Sequence, residues 1–168
     1  MIDLKLWIAQ GLGLGRIPFA PGTFGSIAGV GWFALLLATG SLWLFIAGTI
    51  AGIFLSVWLC GEGEKILKQK DPGSVVLDEI AAMPICFFGW IWLQMRNGGV
   101  LPPVEKLFSS WLVVLAAFAA FRFFDILKPW PVKQSQSLRG GWGVTVDDLL
   151  AAVYTNLALG LCFALGLR

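Results

Sequence analysis

Between Arg16 and Glu62 the chain carries no charged side chain, a run of 45 residues over positions 17–61. A helix needs about 20 predominantly apolar residues to cross a bilayer. That run therefore holds two crossings, and Thr39-Gly40-Ser41 supplies the tight break between them. Composition points the same way: of 168 residues 58% are hydrophobic and 13% charged, against about 25% charged in soluble domains. A water-soluble globule is disfavoured.

Several function classes fall away early. The formal net charge of +2 is too small for a nucleic-acid partner, and no basic surface alternates with exposed aromatics. With no histidine in the chain, a phosphohistidine intermediate, a histidine base and a His-ligated zinc are excluded. Cys60, Cys86 and Cys162 lie far apart in apolar segments without a CxxC spacing and read as small core hydrophobes. Cys162 and Arg168 match the Cys-x₅-Arg spacing of cysteine phosphatases, but no helix follows to bind phosphate, so the match is coincidental. The stretch from Leu6 is interrupted by Gly11, Gly13, Gly15 and Arg16 and lacks an Ala-x-Ala site, so the N-terminus reads as retained, either an interfacial helix or a tail.

Charges and Gly/Pro punctuation mark five apolar segments, at about 24–38, 41–60, 80–95, 107–127 and 149–167. The expectation is an all-α fold: one membrane-embedded domain over 1–168, a helical bundle of about five transmembrane segments with its polar loops on one face. Segment 80–95 gives only about 24 Å of helix, short for a hydrocarbon core of about 30 Å. With five crossings, stretches 16–26, 62–79 and 122–148 share one side. That side carries Lys5, Arg16, Lys65, Lys68, Lys70, Arg122, Lys128, Lys133 and Arg139, against Arg96, Lys106 and Arg168 opposite. The positive-inside rule places the richer side in the cytoplasm.

Four polar constellations fall on that side. The first, Arg16-Ile-Pro-Phe-Ala-Pro21-Gly22-Thr23-Phe-Gly25-Ser26, runs into an apolar helix. Its glycine amides and hydroxyls suit an anion cradle, or a Pro-Gly turn with Thr23 as N-cap. The second, Asp71-Pro-Gly-Ser-Val-Val-Leu-Asp78-Glu79, puts two acids at a helix start, where capping needs only one. In the third, Phe121-Arg122-Phe-Phe-Asp125-Ile-Leu-Lys128-Pro129, Arg122, Asp125 and Lys128 recur every three residues on one helix face. Asp125 sits near a helix C-terminus, where the macrodipole disfavours an anion, so its rival explanation is an intrahelical ion pair. The fourth, Arg139-Gly140-Gly141-Trp142-Gly143-Val-Thr145-Val-Asp147-Asp148, again approaches a helix start with paired acids, and capping is again the rival.

Chemically, Asp78, Glu79, Asp125, Asp147 and Asp148 offer the hard oxygen ligands that Mg²⁺ prefers. Glu79, Asp125, Asp147 and Asp148 are the expected metal ligands, and Asp78, Glu79, Asp125 and Asp148 the expected catalytic acids. Gly22, Thr23, Arg122, Lys128 and Arg139 are the expected phosphate holders. The set fits metal-assisted phosphoryl chemistry, either by activated water or through an aspartyl phosphate on Asp125 or Asp148.

Together the motifs Pro21-Gly22-Thr23-Phe24-Gly25-Ser26, Gly73-Ser74-Val75-Val76-Leu77-Asp78-Glu79, Phe121 to Pro131 and Gly140-Gly141-Trp142-Gly143 with Asp147-Asp148 resemble the phosphatidylglycerophosphatase A family. They stand in the family's order, from about residue 11 to 155. The chain departs from the usual pattern at Ala81-Ala82 and Ala152, where the family has glycine, and at Thr145, where it has an apolar residue. The resemblance implies Mg²⁺-dependent hydrolysis of phosphatidylglycerophosphate to phosphatidylglycerol, the step before cardiolipin synthesis, at the inner leaflet. A small ion or solute transporter using the boundary carboxylates is the alternative, against which the acids stand at segment ends and not in the apolar middles. A headgroup transferase is a weaker rival, since the spaced Asp motif of nucleotide-dependent phosphatidyltransferases is absent.

Overall fold

The computed structural model describes residues 3–96 and 98–166, and helix is its only regular structure among them. Arg168, one of the three cations counted on the poorer side, lies outside the described residues. The helices are α1 (Leu4–Ala9), α2 (Pro21–Ala38), α3 (Leu42–Leu67), α4 (Leu77–Cys86), α5 (Phe88–Met95), α6 (Val104–Ser109), α7 (Trp111–Leu127), α8 (Val132–Ser135) and α9 (Gly141–Ala164). A 3₁₀ segment, Gly11–Arg16, joins α1 to α2.

Local chemistry accounts for most boundaries. Asp3 caps α1 by accepting from the amides of Lys5 and Leu6, and the Ser41 hydroxyl caps α3 on the amide of Leu44. Pro21 opens α2, where its missing N–H costs nothing. Thr23 therefore sits in the first turn of α2 and is not its N-cap. Pro84 lies inside α4, and its ring and missing donor disrupt the ladder. The expected single segment 80–95 is accordingly two helices that meet at Phe87.

By length and apolarity, three helices among the described residues can cross a bilayer: Pro21–Ala38, Leu42–Leu67 and Gly141–Ala164. The 17-residue α7 and the broken α4–α5 pair do not qualify by length, so the expected count of about five is not reached on that criterion. Large apolar side chains point outward all the same: Trp43 is 79% exposed, and Phe54, Trp58, Leu115 and Leu157 are exposed too. An outer surface of this kind needs lipid against it.

Helix α4 is the centre of the bundle, packed against α2, α3 and α9, while α7 packs mainly on α9 and also meets α2 and α4. Gly25 and Gly29 let α2 approach α4 closely: a methyl there would lie 2.8 Å from Val76 Cβ or 2.7 Å from Met83 Cβ. Beneath them, Phe33 stacks on Phe87 at 4.3 Å between ring centroids in a core with Leu37, Met83, Phe45 and Phe121. The substituted alanines Ala81, Ala82 and Ala152 are all buried in this packing. The starts of α2, α4 and α9 and the ends of α3 and α7 consequently gather at one end of the bundle.

Candidate functional site

Two ion-paired poles form at that end. Glu79, in the first turn of α4, faces the glycine side of α2 and the end of α7. Its Oε2 accepts from Ser26 Oγ at 3.0 Å, and its Oε1 lies 3.1 Å from Arg122 NH1. The same NH1 lies 2.8 Å from Asp125 Oδ2. Arg122 thus does more than pair within its own helix. It ties α7 to α4, within ion-pair distance of both acids and aligned for a hydrogen bond with neither.

The second pole joins α7, α8 and α9. Lys128 ends α7 in a left-handed conformation, φ 46°, which turns it away from Arg122 and Asp125. Its ammonium lies 2.6 Å from Asp147 Oδ2 and 3.7 Å from Asp71 Oδ2. Burial pulls the Lys128 pKa down, but the hydrogen bond and charge of Asp147, with Asp71 and Asp125, outweigh it. The net shift is upward, so Lys128 is charged at neutral pH. Gln136 Nε2 donates to Asp71 at 2.8 Å and to Asp147 at 3.0 Å, fastening the loop before α4 to α9.

Between the poles lie Asp78 and Asp148, both buried. Asp78 Oδ1 accepts from the backbone amide of Glu79. Asp148 has an Oδ2 that is buried without any hydrogen-bond partner, and its surroundings are anionic, with Asp78, Asp125, Glu79 and Asp147 all within electrostatic reach. The helix carrying it starts at Gly141, not after Asp148. Asp147 and Asp148 therefore ride inside α9, and capping does not explain them.

Five buried or half-buried carboxylates, those of Asp78, Glu79, Asp125, Asp147 and Asp148, with the exposed Asp71 beside them, meet two cations, Arg122 and Lys128. An excess of buried negative charge is unfavourable unless a cation or protons offset it. The donor set is all hard oxygen, and Asp148 Oδ2 is an acceptor with nothing to accept from. Among the described residues no three acids are close enough to cage an ion alone. Mg²⁺ does not require that, since it keeps several waters and binds through one or two carboxylates together with a substrate phosphate. On donor chemistry and charge, the residues fit such an ion.

The remaining candidates divide. Gly22 belongs to the first pole: a methyl there would overlap Glu79 Oε1 and approach Arg122 NH1 to 2.8 Å. Thr23 is half-buried one residue further along α2. Arg139 is exposed on the loop before α9 and makes no ion pair among the described residues. Two contributors were not foreseen. Asp71 stood in a quoted motif without a role, and Gln136 sits in an irregular polar loop that offers no spacing to read. Ser26, suggested as a phosphate donor, instead hydrogen-bonds Glu79.

A partly ion-paired carboxylate cluster at one end of an apolar helical bundle defines a membrane-embedded enzyme suited to phosphate esters. The chain belongs to the phosphatidylglycerophosphatase A family, whose model matches residues 7–163, and it is a phosphatase. It is 38% identical to phosphatidylglycerophosphatase A of Haemophilus influenzae, with 90% of this chain and 84% of that protein covered. It is 32% identical to the Escherichia coli phosphatidylglycerophosphatase A, covering 95% and 81%. A provisionally named phosphatidylinositol-3-phosphatase of Bacteroides thetaiotaomicron is 35% identical, covering 93% and 91%. No solved structure matches the chain.

The tight contact at Gly22 gives a first prediction. Gly22→Ala should displace Glu79 and Arg122 while leaving the core intact, lowering phosphate release on the order of 10²-fold with an unchanged helical circular dichroism spectrum. Wild-type turnover in that variant would remove the Glu79–Arg122 pole from the site.

Proposed function

We propose that the protein hydrolyses phosphatidylglycerophosphate to phosphatidylglycerol and inorganic phosphate, with Mg²⁺, at the cytoplasmic face of a bacterial inner membrane. The observation that carries this reading is the buried, unpartnered Asp148 Oδ2 among acids that two cations only partly offset. The names of the Haemophilus and Escherichia relatives support the substrate, and nine cations against two at the two ends, among the described residues, support the orientation. A lipid substrate also suits a site at the end of the bundle, where the headgroup meets the charges while the acyl chains stay among the exposed apolar side chains.

One or two of Glu79, Asp125, Asp147 and Asp148 would hold the Mg²⁺, which when bound would supply positive charge against the phosphate oxygens and favour loss of a proton from water. The chain's own groups do the rest. Arg122 and Lys128 neutralise the non-bridging oxygens of the terminal phosphate, helped by the start of α2 at Gly22 and Thr23. Asp148 accepts a proton as water attacks phosphorus in line. The bond from phosphorus to the glycerol oxygen breaks, that oxygen takes a proton from solvent water as phosphatidylglycerol leaves, and Asp148 returns its own proton to solvent. The free Oδ2 lone pairs also fit a second route, in which Asp148 attacks phosphorus itself and water then hydrolyses the aspartyl phosphate.

Phosphate release by the purified protein tests the reading, with phosphatidylglycerophosphate, phosphatidate and phosphatidylinositol 3-phosphate compared with and without Mg²⁺. The expected result is release selective for the first lipid, abolished by EDTA and restored by Mg²⁺. Faster release from the inositol lipid would reassign the substrate, and full activity in EDTA would overturn the metal.

A further inference from the structure

A cavity of about 670 Å³ opens at the end of the bundle away from the acid cluster. Since α4 and α9 begin and α7 ends at the acids, the end of α5, the start of α7 and the end of α9 lie together at the opposite membrane boundary. Helix α5 packs against α4 and α9, and α7 against α9, α2, α4 and α6. A cleft is left between α5 and α7, bounded by Trp90, Trp111 and by Phe163 of α9.

Two cations line it, Arg96 and Lys106. Arg96 lies over the Trp92 ring at 5.1 Å, and neither cation pairs with a carboxylate among the described residues. The Ser110 hydroxyl adds a donor to the lining. Basic and tryptophan side chains at a membrane boundary are ordinary anchors on a convex surface. Here they line a concavity that also carries Trp111, Leu112 and Phe163.

We propose that this cleft binds an anionic phospholipid of the leaflet opposite the acid cluster. Its headgroup phosphate is held by Arg96 and Lys106, and an acyl chain lies along Trp111 and Phe163. Unpaired cations select net negative charge, because the charges of a zwitterionic headgroup cancel while an anionic headgroup keeps one in excess.

The test titrates the delipidated full-length protein in detergent with phosphatidylserine, phosphatidylcholine or inorganic phosphate and counts bound lipid by native mass spectrometry. Phosphatidylserine is neither substrate nor product of the proposed reaction, so the acid site does not confuse the reading. At on the order of fivefold per basic group, two groups should favour phosphatidylserine roughly 25-fold. Arg96→Gln with Lys106→Gln should remove that preference and leave phosphate release at the wild-type rate, which also certifies the fold. The same preference in the double variant, or none in the wild type, would overturn the proposal. Displacement of the lipid by millimolar inorganic phosphate would also overturn it, in favour of a free-anion site.

Discussion

Asp148→Asn is expected to reduce phosphate release by roughly 10²- to 10⁴-fold, the range for loss of a positioned proton acceptor, while leaving the melting temperature equal or higher. The two halves of the prediction have one cause. Asp148 Oδ2 has no protein partner, so an amide of the same shape breaks no hydrogen bond from that oxygen. It also removes one negative charge from a neighbourhood that already holds Asp78, Glu79, Asp125 and Asp147, where like charges raise the cost of every ionised member. A residue kept for the fold would show the opposite pattern, with stability lost and activity following it. Asp125→Asn is the instructive contrast, because it gives up the 2.8 Å ion pair with Arg122 and should lower stability and turnover together. Turnover and melting temperature of the two variants, measured in the same detergent, separate the cases. Near wild-type turnover in Asp148→Asn would sink the assignment of Asp148.

The sequence made the membrane character and the gathering of polar motifs at one end legible, because apolar run length and charge position are local properties. It was less reliable where long-range packing overrides local preference. Gly140-Gly141-Trp142-Gly143 reads as a loop, since glycine costs about 1 kcal/mol in a helix relative to alanine, yet α9 begins at Gly141, which lets α3 approach at close range. The same misreading placed Asp147 and Asp148 at a helix start, which kept capping open as a rival reading, when they are interior residues. Spacing by three placed Arg122 and Asp125 together, and they do pair. Applied to Lys128 the rule failed, because that residue leaves the helix at positive φ and reaches Asp147 instead. The Gln136 bonds to Asp71 and Asp147 span 65 and 11 residues from an irregular loop, and no periodicity encodes such a contact.

Gly141→Ala should be the most destabilising single-methyl change in the bundle. A Cβ at Gly141 would overlap the Val57 carbonyl oxygen and lie 2.7 Å from the Gly61 amide nitrogen. Both obstacles are backbone atoms of α3, so no side chain can rotate away and the helices must separate. Overpacking of this kind costs about 1–3 kcal/mol where side chains can yield, and a backbone contact belongs at or above the upper end. Separation would also strain the buried hydrogen bond between Ser56 and Thr145, 2.9 Å, which joins the same two helices. Asp147 and Asp148 lie less than two turns further along α9, so their position against α4 and α7 shifts with it. Activity should therefore fall even in the fraction that remains folded. Gly160→Ala is the matched control: it lies in the same helix with nothing within 4 Å of an added methyl, and helix propensity alone favours it by about 1 kcal/mol. Melting temperatures that move in opposite directions for the two alanines are the expected result. Equal shifts would mean that α3 and α9 do not meet backbone to backbone, and the placement of the two α9 acids would fail with them.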